Sequence, residues 1–384
     1  MRIALLTPGI SPYVIGGLQR HSFNLAKGLA RNGVKVDLYH TDFENAVDLS
    51  IDDLSGITNL EKKNIENLVI PWPKNDSFPG HYIRSLKLFS NKLYQQYCQR
   101  SPVDFIYGQS LTAWCLVREK RKGETLPPIG VNLHGFEMFQ RPANIRSYLE
   151  NQLLFPAFYR HATEADYLFS YGGRITELIQ EQLHIDNGKI IEIPGGIDSS
   201  WLVNQTTFPA DPIRFIFLGR YERRKGIQEV QAAILQNPEW ISHATFRFIG
   251  PIPEAKRLKL PHVSYANVIR DETLIQHELR QADILLCPSH SEGMPNVILE
   301  GMASGLAILA TDVGAVRLLV DSDNGILLPK ANVSGVIQGI DEFLRIDKAK
   351  IKRMKKFSLD RVKSFTWDRI TAQTLSEIRK IISV

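Results

Sequence analysis

Two glutamates, Glu292 and Glu300, stand eight residues apart, with a turn and a predicted helix start between them. An apolar run at 283–288 precedes them, and a second apolar run at 306–310 follows. This order predicts strand, turn, short helix and strand, as in an open α/β sheet, whose ligands bind beyond the carboxyl ends of the strands. At about 100° per residue, the two carboxylates lie about 80° apart and would reach different parts of one extended ligand.

The turn between the two glutamates would offer backbone N–H groups at a helix N-terminus. It comprises Gly293, Met294, Pro295, Asn296 and Val297. Unpaired N–H groups in that position favour anionic or hydroxyl-rich ligands. A capped surface helix with two solvated glutamates is the alternative interpretation.

A glycine pair, Gly16 and Gly17, follows the first predicted strand and opens a helix predicted at 18–32. Without a Cβ, its amides could approach a diphosphate or a sugar closely. The alternative is a plain tight turn. The spacing is not the G-x-G-x-x-G dinucleotide pattern, so a nicotinamide cofactor has little support.

A basic loop follows the predicted strand at 213–218. Arg220 and Lys225 would stand at the carboxyl end of that strand, where they could neutralise the charge of an anionic ligand. We expect Arg223 and Arg224 to be solvated. A wholly solvated basic loop is the alternative.

One histidine, His134, follows the predicted strand at 129–133 and precedes Gly135. A lone histidine at a strand end is more often structural than catalytic, so the residue type and position leave both interpretations open.

The composition indicates a globular protein of two domains. The chain has 384 residues, of which 43% are apolar and 23% charged. No apolar run approaches the ~20 residues of a membrane span. Three widely spaced cysteines indicate neither a disulfide framework nor a zinc site and favour a reducing cytosol. The net charge of +5 is mild and does not require nucleic acid.

Short β-rich runs alternate with helical patterns along the whole chain, which predicts parallel sheets covered by helices. The runs are 2–6, 34–39, 67–70, 105–107, 129–133, 167–170, 190–193, 213–218, 245–249, 263–265, 283–287, 307–310 and 325–328. We therefore predict an α/β protein with two Rossmann-like, doubly wound domains facing across a cleft. The predicted units are 1–197, a polar linker at 198–212, 213–366, and a C-terminal amphipathic helix at 367–384.

The spacing of Glu292 and Glu300 resembles the E-x7-E signature of retaining, nucleotide-sugar-dependent glycosyltransferases of family 4, which have the GT-B fold. The resemblance implies that Glu292 binds hydroxyls of the donor sugar and that Glu300 binds the nucleotide ribose. It further implies that the turn between them binds the sugar and the phosphates. Lys225 with Arg220 resembles the family's donor-phosphate motif.

Four further places agree with the family in the expected order along the chain. Gly16 and Gly17 resemble its opening Gly-Gly loop, and His134 resembles its active-site His-Gly, which faces the donor sugar. Residues 311–315 match the loop after its E-x7-E helix, and 193–198 match its junction before the linker, with Gly195 where Asn is usual. The resemblance also implies that the last helix packs back on the first domain.

The resemblance implies a retaining transfer without a metal cofactor, from a UDP- or GDP-linked sugar with UDP favoured, to a glycan or lipid-linked acceptor in polysaccharide biosynthesis. No Asp-x-Asp metal motif occurs in a suitable place, since 321–323 has a turn-like context. His134 is expected to contact the sugar and position the transition state. The alternatives are a nucleotide-sugar hydrolase or epimerase of the same fold, and a non-catalytic nucleotide-sugar-binding subunit.

The expected location is cytoplasmic, with one possible contact at the inner face of the membrane. The predicted helix at 81–94 is basic on one side and aromatic on the other, so it suits an anionic membrane that bears a lipid-linked glycan. An ordinary amphipathic helix covering the sheet is the alternative.

Overall fold

The computed structural model describes residues 1–14, 16–41, 56–73, 81–140 and 142–383. Within these ranges the chain forms two separate parallel sheets, one in each half, with helices on both faces of each sheet. The predicted α/β class is confirmed.

The first sheet contains seven strands. They are β1 (Arg2–Leu6), β2 (Lys35–His40), β3 (Ile65–Val69), β4 (Phe105–Gln109), β5 (Ile129–Asn132), β6 (Tyr167–Ser170) and β7 (Ile190–Glu192). Their order is β3-β2-β1-β4-β5-β6-β7, and every pair is parallel. The winding reverses between β1 and β4, so a crevice opens beyond the carboxyl ends of these two strands.

The second sheet contains six strands with the same kind of order. They are β8 (Ile213–Leu218), β9 (Ala244–Ile249), β10 (Val263–Ala266), β11 (Ile284–Cys287), β12 (Ala307–Thr311) and β13 (Gly325–Leu328). The order β10-β9-β8-β11-β12-β13 reverses between β8 and β11. The crevice of this domain therefore lies beyond β8 and β11.

Helices connect the strands of both sheets and cover them. Their bounds are α1 (Gly17–Arg31), α2 (Asn59–Asn64), α3 (His81–Tyr97), α4 (Trp114–Arg121), α5 (Ile145–Glu164), α6 (Arg174–Leu183), α7 (Ile227–Gln236), α8 (Glu272–Arg280), α9 (Asn296–Ala303), α10 (Val316–Leu319), α11 (Val333–Arg345), α12 (Lys348–Val362) and α13 (Trp367–Ile382). Alternate residues of a strand point to opposite faces: Ala4 and Leu6 pack towards α3 to α6, and Ile3 and Leu5 towards α1 and α13. Burial on both faces explains why these strands are almost continuously apolar.

The last helix returns to the first domain. Trp367, Ile370 and Ile378 of α13 join the core that contains α1, whereas α12 packs with the second domain. Where the chain crosses back, the N–H of Ile197 donates to the carbonyl oxygen of Phe365 at 2.8 Å. The last residue of the predicted first domain and the returning chain therefore run side by side.

Candidate active site

Glu292 and the basic loop leave the second sheet at neighbouring strands. Glu292 lies in the loop after β11, and residues 219–226 form the loop after β8, which pairs with β11. Both loops therefore meet at the winding reversal of this sheet, where an open α/β sheet binds its ligand. The backbone joins them, because the N–H of His290 donates to the carbonyl oxygen of Arg224 at 2.7 Å.

The Glu292 carboxylate is buried and accepts three hydrogen bonds. Its Oε1 accepts from Lys225 Nζ at 2.6 Å and from Ser289 Oγ at 2.8 Å, and its Oε2 accepts from Arg224 Nη1 at 3.3 Å. Burial alone would raise the pKa of Glu292, but the attraction of Lys225 and Arg224 outweighs it, so the pKa is lowered. Glu292 is therefore an ionised carboxylate with two cations held beside it.

The two cations predicted to bind phosphate have different surroundings. The Lys225 side chain is 21% exposed and faces Glu292. The Arg220 side chain is 66% exposed and forms an ion pair with Glu222 at 3.0 Å. Lys225 is thus part of the buried cluster and Arg220 lies outside it. A phosphate-binding role for either residue stays a prediction.

Arg223 and Arg224 are both held by carboxylates, so the expectation that they are solvated is wrong. Arg223 pairs with Glu229, which is buried. Arg224 pairs with Glu292 and also, at 3.2 Å, with Glu137 of the first domain. The reason is local geometry: residues 223–225 form one turn of 3-10 helix, which turns Arg224 towards the glutamate loop.

The glutamate loop touches the first domain through two glycines. A Cβ on Gly293 would lie 2.9 Å from the Cα of Gly135, closer than ordinary packing allows. The side chain of Gln140 spans the contact, because its Nε2 donates to the carbonyl oxygens of Gly135 at 2.5 Å and of Glu292 at 2.6 Å. The absence of a side chain at Gly293 therefore lets the two domains close around Glu292.

The starts of α1 and α9 face each other across the same cleft. A Cβ on Gly17, the first residue of α1, would lie 3.2 Å from Nδ2 of Asn296, the first residue of α9. Gly16 and Pro295 precede the two helices, and neither provides a side-chain cap. Val297 is half-buried in the first turn of α9. At the start of α9 the N–H of Ile298 already donates to the carbonyl oxygen of Pro295 at 3.0 Å, so the N–H groups of the first residues of each helix are the ones that a ligand could use.

The Met294 side chain points towards Gly195, in the 193–198 segment that precedes the predicted linker. It is buried, and its Sδ accepts a hydrogen bond from the N–H of Gly195 at 2.8 Å. A Cβ on Gly195 would lie 3.4 Å from this sulfur. A Cβ at this position would therefore make only ordinary contact with Met294, and packing does not explain why Gly195 stands where the resembling family usually has Asn. The Met294 side chain is buried against Gly195, so a donor sugar would meet the backbone of Met294.

Glu300 is buried on α9, and Arg20 of the first domain covers it. Arg20 Nη2 lies 2.6 Å from Glu300 Oε1, and its Nη1 lies 3.4 Å from Glu272 Oε1. The attraction of Glu300 is the largest cause of the raised pKa of Arg20. The second predicted glutamate is therefore one half of an ion pair across the cleft.

His134 stands on the opposite wall, after β5, with a left-handed backbone (φ 58°). Its Nδ1 lies 2.5 Å from the hydroxyl of Tyr171, and its Nε2 lies 2.6 Å from Gln109 Oε1. Because the Gln109 oxygen only accepts, the network assigns the hydrogen to Nε2, and Nδ1 accepts from Tyr171. Burial lowers the pKa of His134 well below its usual value, so the ring is neutral near pH 7.

A second buried histidine, His21, packs edge-on against His134, Tyr171 and Trp367, with ring centroids 5.0–5.9 Å apart. Burial lowers the pKa of His21 to about 4. The unfolded chain therefore takes up this proton near pH 6.5, whereas the folded protein takes it up only near pH 4. The free energy of unfolding should fall as the pH drops through this window, by up to ~1.4 kcal/mol per pH unit from this group.

We expect His21→Phe to remove part of this acid sensitivity. Between pH 7 and pH 5, the variant should lose about 2 kcal/mol less of its free energy of unfolding than the wild type. Urea unfolding at the two pH values measures the difference, and His243→Phe, at an exposed site, is the matched control. Parallel losses in wild type and His21→Phe would contradict a lowered pKa of His21.

Several residues of the site escaped the sequence prediction. They are Arg20, Gln109, Gln140, Tyr171, Arg224 and Ser289. Arg20 had a usable signal, since it comes one helical turn after the glycine pair. Gln109 had another, because it ends a strand beside the winding reversal. The remaining contacts depend on tertiary packing.

In the described part of the chain, no group of three or more His, Cys, Asp and Glu side chains could hold a metal ion. Asp321, in the segment with Asp-x-Asp letters, pairs with Arg361 instead. Metal independence stays a prediction. None of the helices in the described ranges combines the length and apolar character that crossing a lipid bilayer requires.

Two family models match the chain, one in each domain. Residues 15–201 match Glycosyltransferase Family 4, and residues 212–345 match Glycosyl transferases group 1. An uncharacterized glycosyltransferase of Methanocaldococcus jannaschii is 22% identical over 354 residues, 90% of each chain. Seven other curated relatives are matched over only 32–49% of their own length.

Solved structures share the fold over the whole chain. Sucrose-phosphate synthase from Thermosynechococcus elongatus has a TM-score of 0.79 at 18% identity, covering 100% of this chain and 99% of that one. HepE of Anabaena, solved with UDP and glucose, has a TM-score of 0.69 at 16% identity, covering 99% and 100%. The fold and the matches define an enzyme of the GT-B glycosyltransferase class. Within that class, the chain belongs to the family 4-like glycosyltransferases.

Proposed function

We propose that the protein transfers a sugar, with retention and without a metal cofactor, from a nucleoside-diphosphate sugar to a glycan or lipid-linked acceptor. The observation that carries the proposal is the buried cluster of Glu292, Lys225 and Arg224 at the winding reversal of the second sheet. An ionised carboxylate with fixed cations suits a donor whose sugar carries hydroxyls and whose leaving group is an anion. UDP is the favoured nucleotide, and the likeness to HepE, solved with UDP and glucose, supports it.

Cleavage of the sugar–diphosphate bond places negative charge on the leaving phosphate while the sugar becomes oxocarbenium-like. Lys225, Arg224 and the amides at the start of α9 are fixed donors that would stabilise this charge. Glu292 already orients both cations, so little reorganisation would accompany the reaction. Closure of the domains at Gly293 would exclude water from the same space.

The state of His134 supports a positioning role. Both of its ring nitrogens are engaged, and its lowered pKa makes it a weak base near pH 7. These observations argue against general-base work by His134. We propose that His134 contacts and positions the donor sugar, as the resemblance implies, and that the acceptor attacks on the leaving-group side without an enzymic nucleophile.

The acceptor is proposed to bind on the first domain, beyond β1 and β4. The apolar side of α3 covers the sheet, since Phe89 and Leu93 are fully buried, and this favours the ordinary-helix alternative for that segment. Large apolar side chains are exposed instead on α5, at Ile145, Leu149 and Leu153. They support a lipid-linked acceptor and contact with the inner face of the membrane.

We further propose a cytoplasmic role in polysaccharide biosynthesis. The cysteines at 98, 115 and 287 are free thiols, as is usual in a reducing compartment.

Thermal unfolding with UDP, GDP, ADP or NAD, in the presence of EDTA, tests the donor site. A ligand at 100 times its dissociation constant adds about 2.7 kcal/mol to the folded state. We expect selective stabilisation by one nucleoside diphosphate, UDP first, because Lys225 and Arg224 face an anion site that needs no metal. Stabilisation by NAD alone, or by none of the four, would contradict the proposal.

Product analysis separates the alternatives. A transferase converts the nucleotide sugar only when an acceptor is present and conserves the anomeric configuration, which NMR spectroscopy reads directly. Conversion without an acceptor would favour the hydrolase or epimerase alternative. Nucleotide binding without any conversion would favour the non-catalytic subunit.

A further inference from the structure

Arg20 closes the side of Glu300 that faces the cleft. The Glu300 side chain is 5% exposed. Among the described residues, the side chain that donates a hydrogen bond to the Glu300 carboxylate is that of Arg20, at 2.6 Å. Arg20 itself is 34% exposed, and its second partner, Glu272, is 54% exposed and 3.4 Å away. The guanidinium is therefore fixed mainly by Glu300.

This ion pair conflicts with ribose binding at Glu300, the role that the resemblance to family 4 implies for this residue. Arg20 occupies Oε1 of a carboxylate that is only 5% exposed, so ribose hydroxyls can reach this carboxylate from the cleft only if Arg20 moves aside. Donor binding must therefore move Arg20, and a displaced cation needs another anionic partner, because leaving it unpaired in a closed cleft is unfavourable.

The donor diphosphate would lie within reach of the displaced Arg20. The starts of α1 and α9 lie side by side at Gly17 and Asn296, with Arg20 three residues beyond Gly17 and Glu300 four residues beyond Asn296. One helical turn rises about 5.4 Å, which an arginine side chain spans by changing rotamer. A guanidinium binds phosphate oxygens as well as it binds a carboxylate, often through two hydrogen bonds.

We propose that Arg20 is a donor-binding residue that exchanges Glu300 for the donor diphosphate. The ribose hydroxyls then donate hydrogen bonds to the Glu300 carboxylate, and the Arg20 guanidinium donates to the phosphate oxygens. A nucleoside without phosphates would break the ion pair and offer Arg20 no new partner. The exchange therefore makes the site select nucleoside diphosphates over nucleosides, beyond the contribution of Lys225. The inference depends on the proposed function for the location of the donor.

Calorimetric titration of Arg20→Gln with UDP and with uridine tests the exchange. We expect the dissociation constant for UDP to rise about tenfold or more, because one charge-assisted phosphate contact is lost. The dissociation constant for uridine should stay unchanged or fall, because the variant has no ion pair between residue 20 and Glu300 that must break before ribose binds. Arg174→Gln is the matched control: it removes another arginine ion pair between the domains, with Asp312 at 2.7 Å, and should change neither constant.

Two results with Arg20→Gln would overturn the inference while the wild type still binds UDP. Equal weakening of UDP and uridine would show that Arg20 only holds Glu300 in place. Unchanged affinity for both would show that Arg20 takes no part in donor binding. A wild type that binds neither UDP nor GDP would instead overturn the proposed function, so the two failures are distinguishable.

Discussion

We expect Glu292→Gln to lower kcat for sugar transfer by about a thousandfold, the loss seen when a preorganised charge-stabilising group is removed from an active site. Glutamine keeps the shape of the side chain but loses the negative charge that orients Lys225 and Arg224. It also offers the donor sugar one acceptor oxygen instead of two. The release of UDP from the UDP-sugar that the wild type consumes measures kcat.

Glutamine is a sharper test than alanine at this position. Removing one partner of a buried ion pair lowers the free energy of unfolding by about 3–5 kcal/mol. A loss of activity in Glu292→Ala could therefore come from unfolding as well as from a slower reaction. In Glu292→Gln the affinity for UDP should stay the same or rise, since Lys225 and Arg224 lose a competing anion. Glu278→Gln, which alters a carboxylate that pairs with Arg247 at 2.7 Å outside the Glu292 cluster, is the control and should keep most of the activity. Wild-type kcat in Glu292→Gln would show that the site assignment is wrong.

The positions of Glu292 and Lys225 could be predicted from the sequence because each follows a recognisable buried strand. Polar residues at the carboxyl ends of two parallel strands lie at one edge of a sheet, and β8 and β11 are neighbours there. Which cation faces the carboxylate could not be predicted. The choice between Arg220 and Arg224 depends on the 3-10 turn at 223–225 and on Gly226, whose φ of +70° ends that turn.

The contacts between the two domains could be predicted from the sequence even less well. Arg20 and Glu300 are 280 residues apart, and only the relative placement of the two domains brings them together. Gly17 and Gly293 illustrate the same limit: their positions were predicted as places where a ligand approaches backbone amides. In the structure both glycines also make room for the opposite domain.

A methyl group at Gly293 should disable the enzyme by holding the domains apart. The added Cβ would lie 2.9 Å from the Cα of Gly135 and 3.2 Å from the carbonyl carbon of His134, both backbone atoms that cannot rotate away. Gly293 is not among the glycines with a positive φ, so alanine is compatible with the local backbone. The strain therefore falls on the domain contact rather than on the second domain.

We expect Gly293→Ala to lower kcat by at least about a hundredfold, because a displacement near 1 Å between catalytic groups is enough for such a loss. The melting temperature should change little. The radius of gyration, measured by small-angle scattering, should not decrease when UDP is added to the variant, whereas it should decrease for the wild type. Gly188→Ala is the control, since its Cβ would meet only Asp186 Oδ2, at an ordinary 3.5 Å. A Gly293→Ala protein that closes on UDP and keeps its kcat would show that contact between Gly293 and Gly135 is not needed for catalysis. A variant that closes but has lost kcat would place the role of Gly293 in donor contact instead of closure.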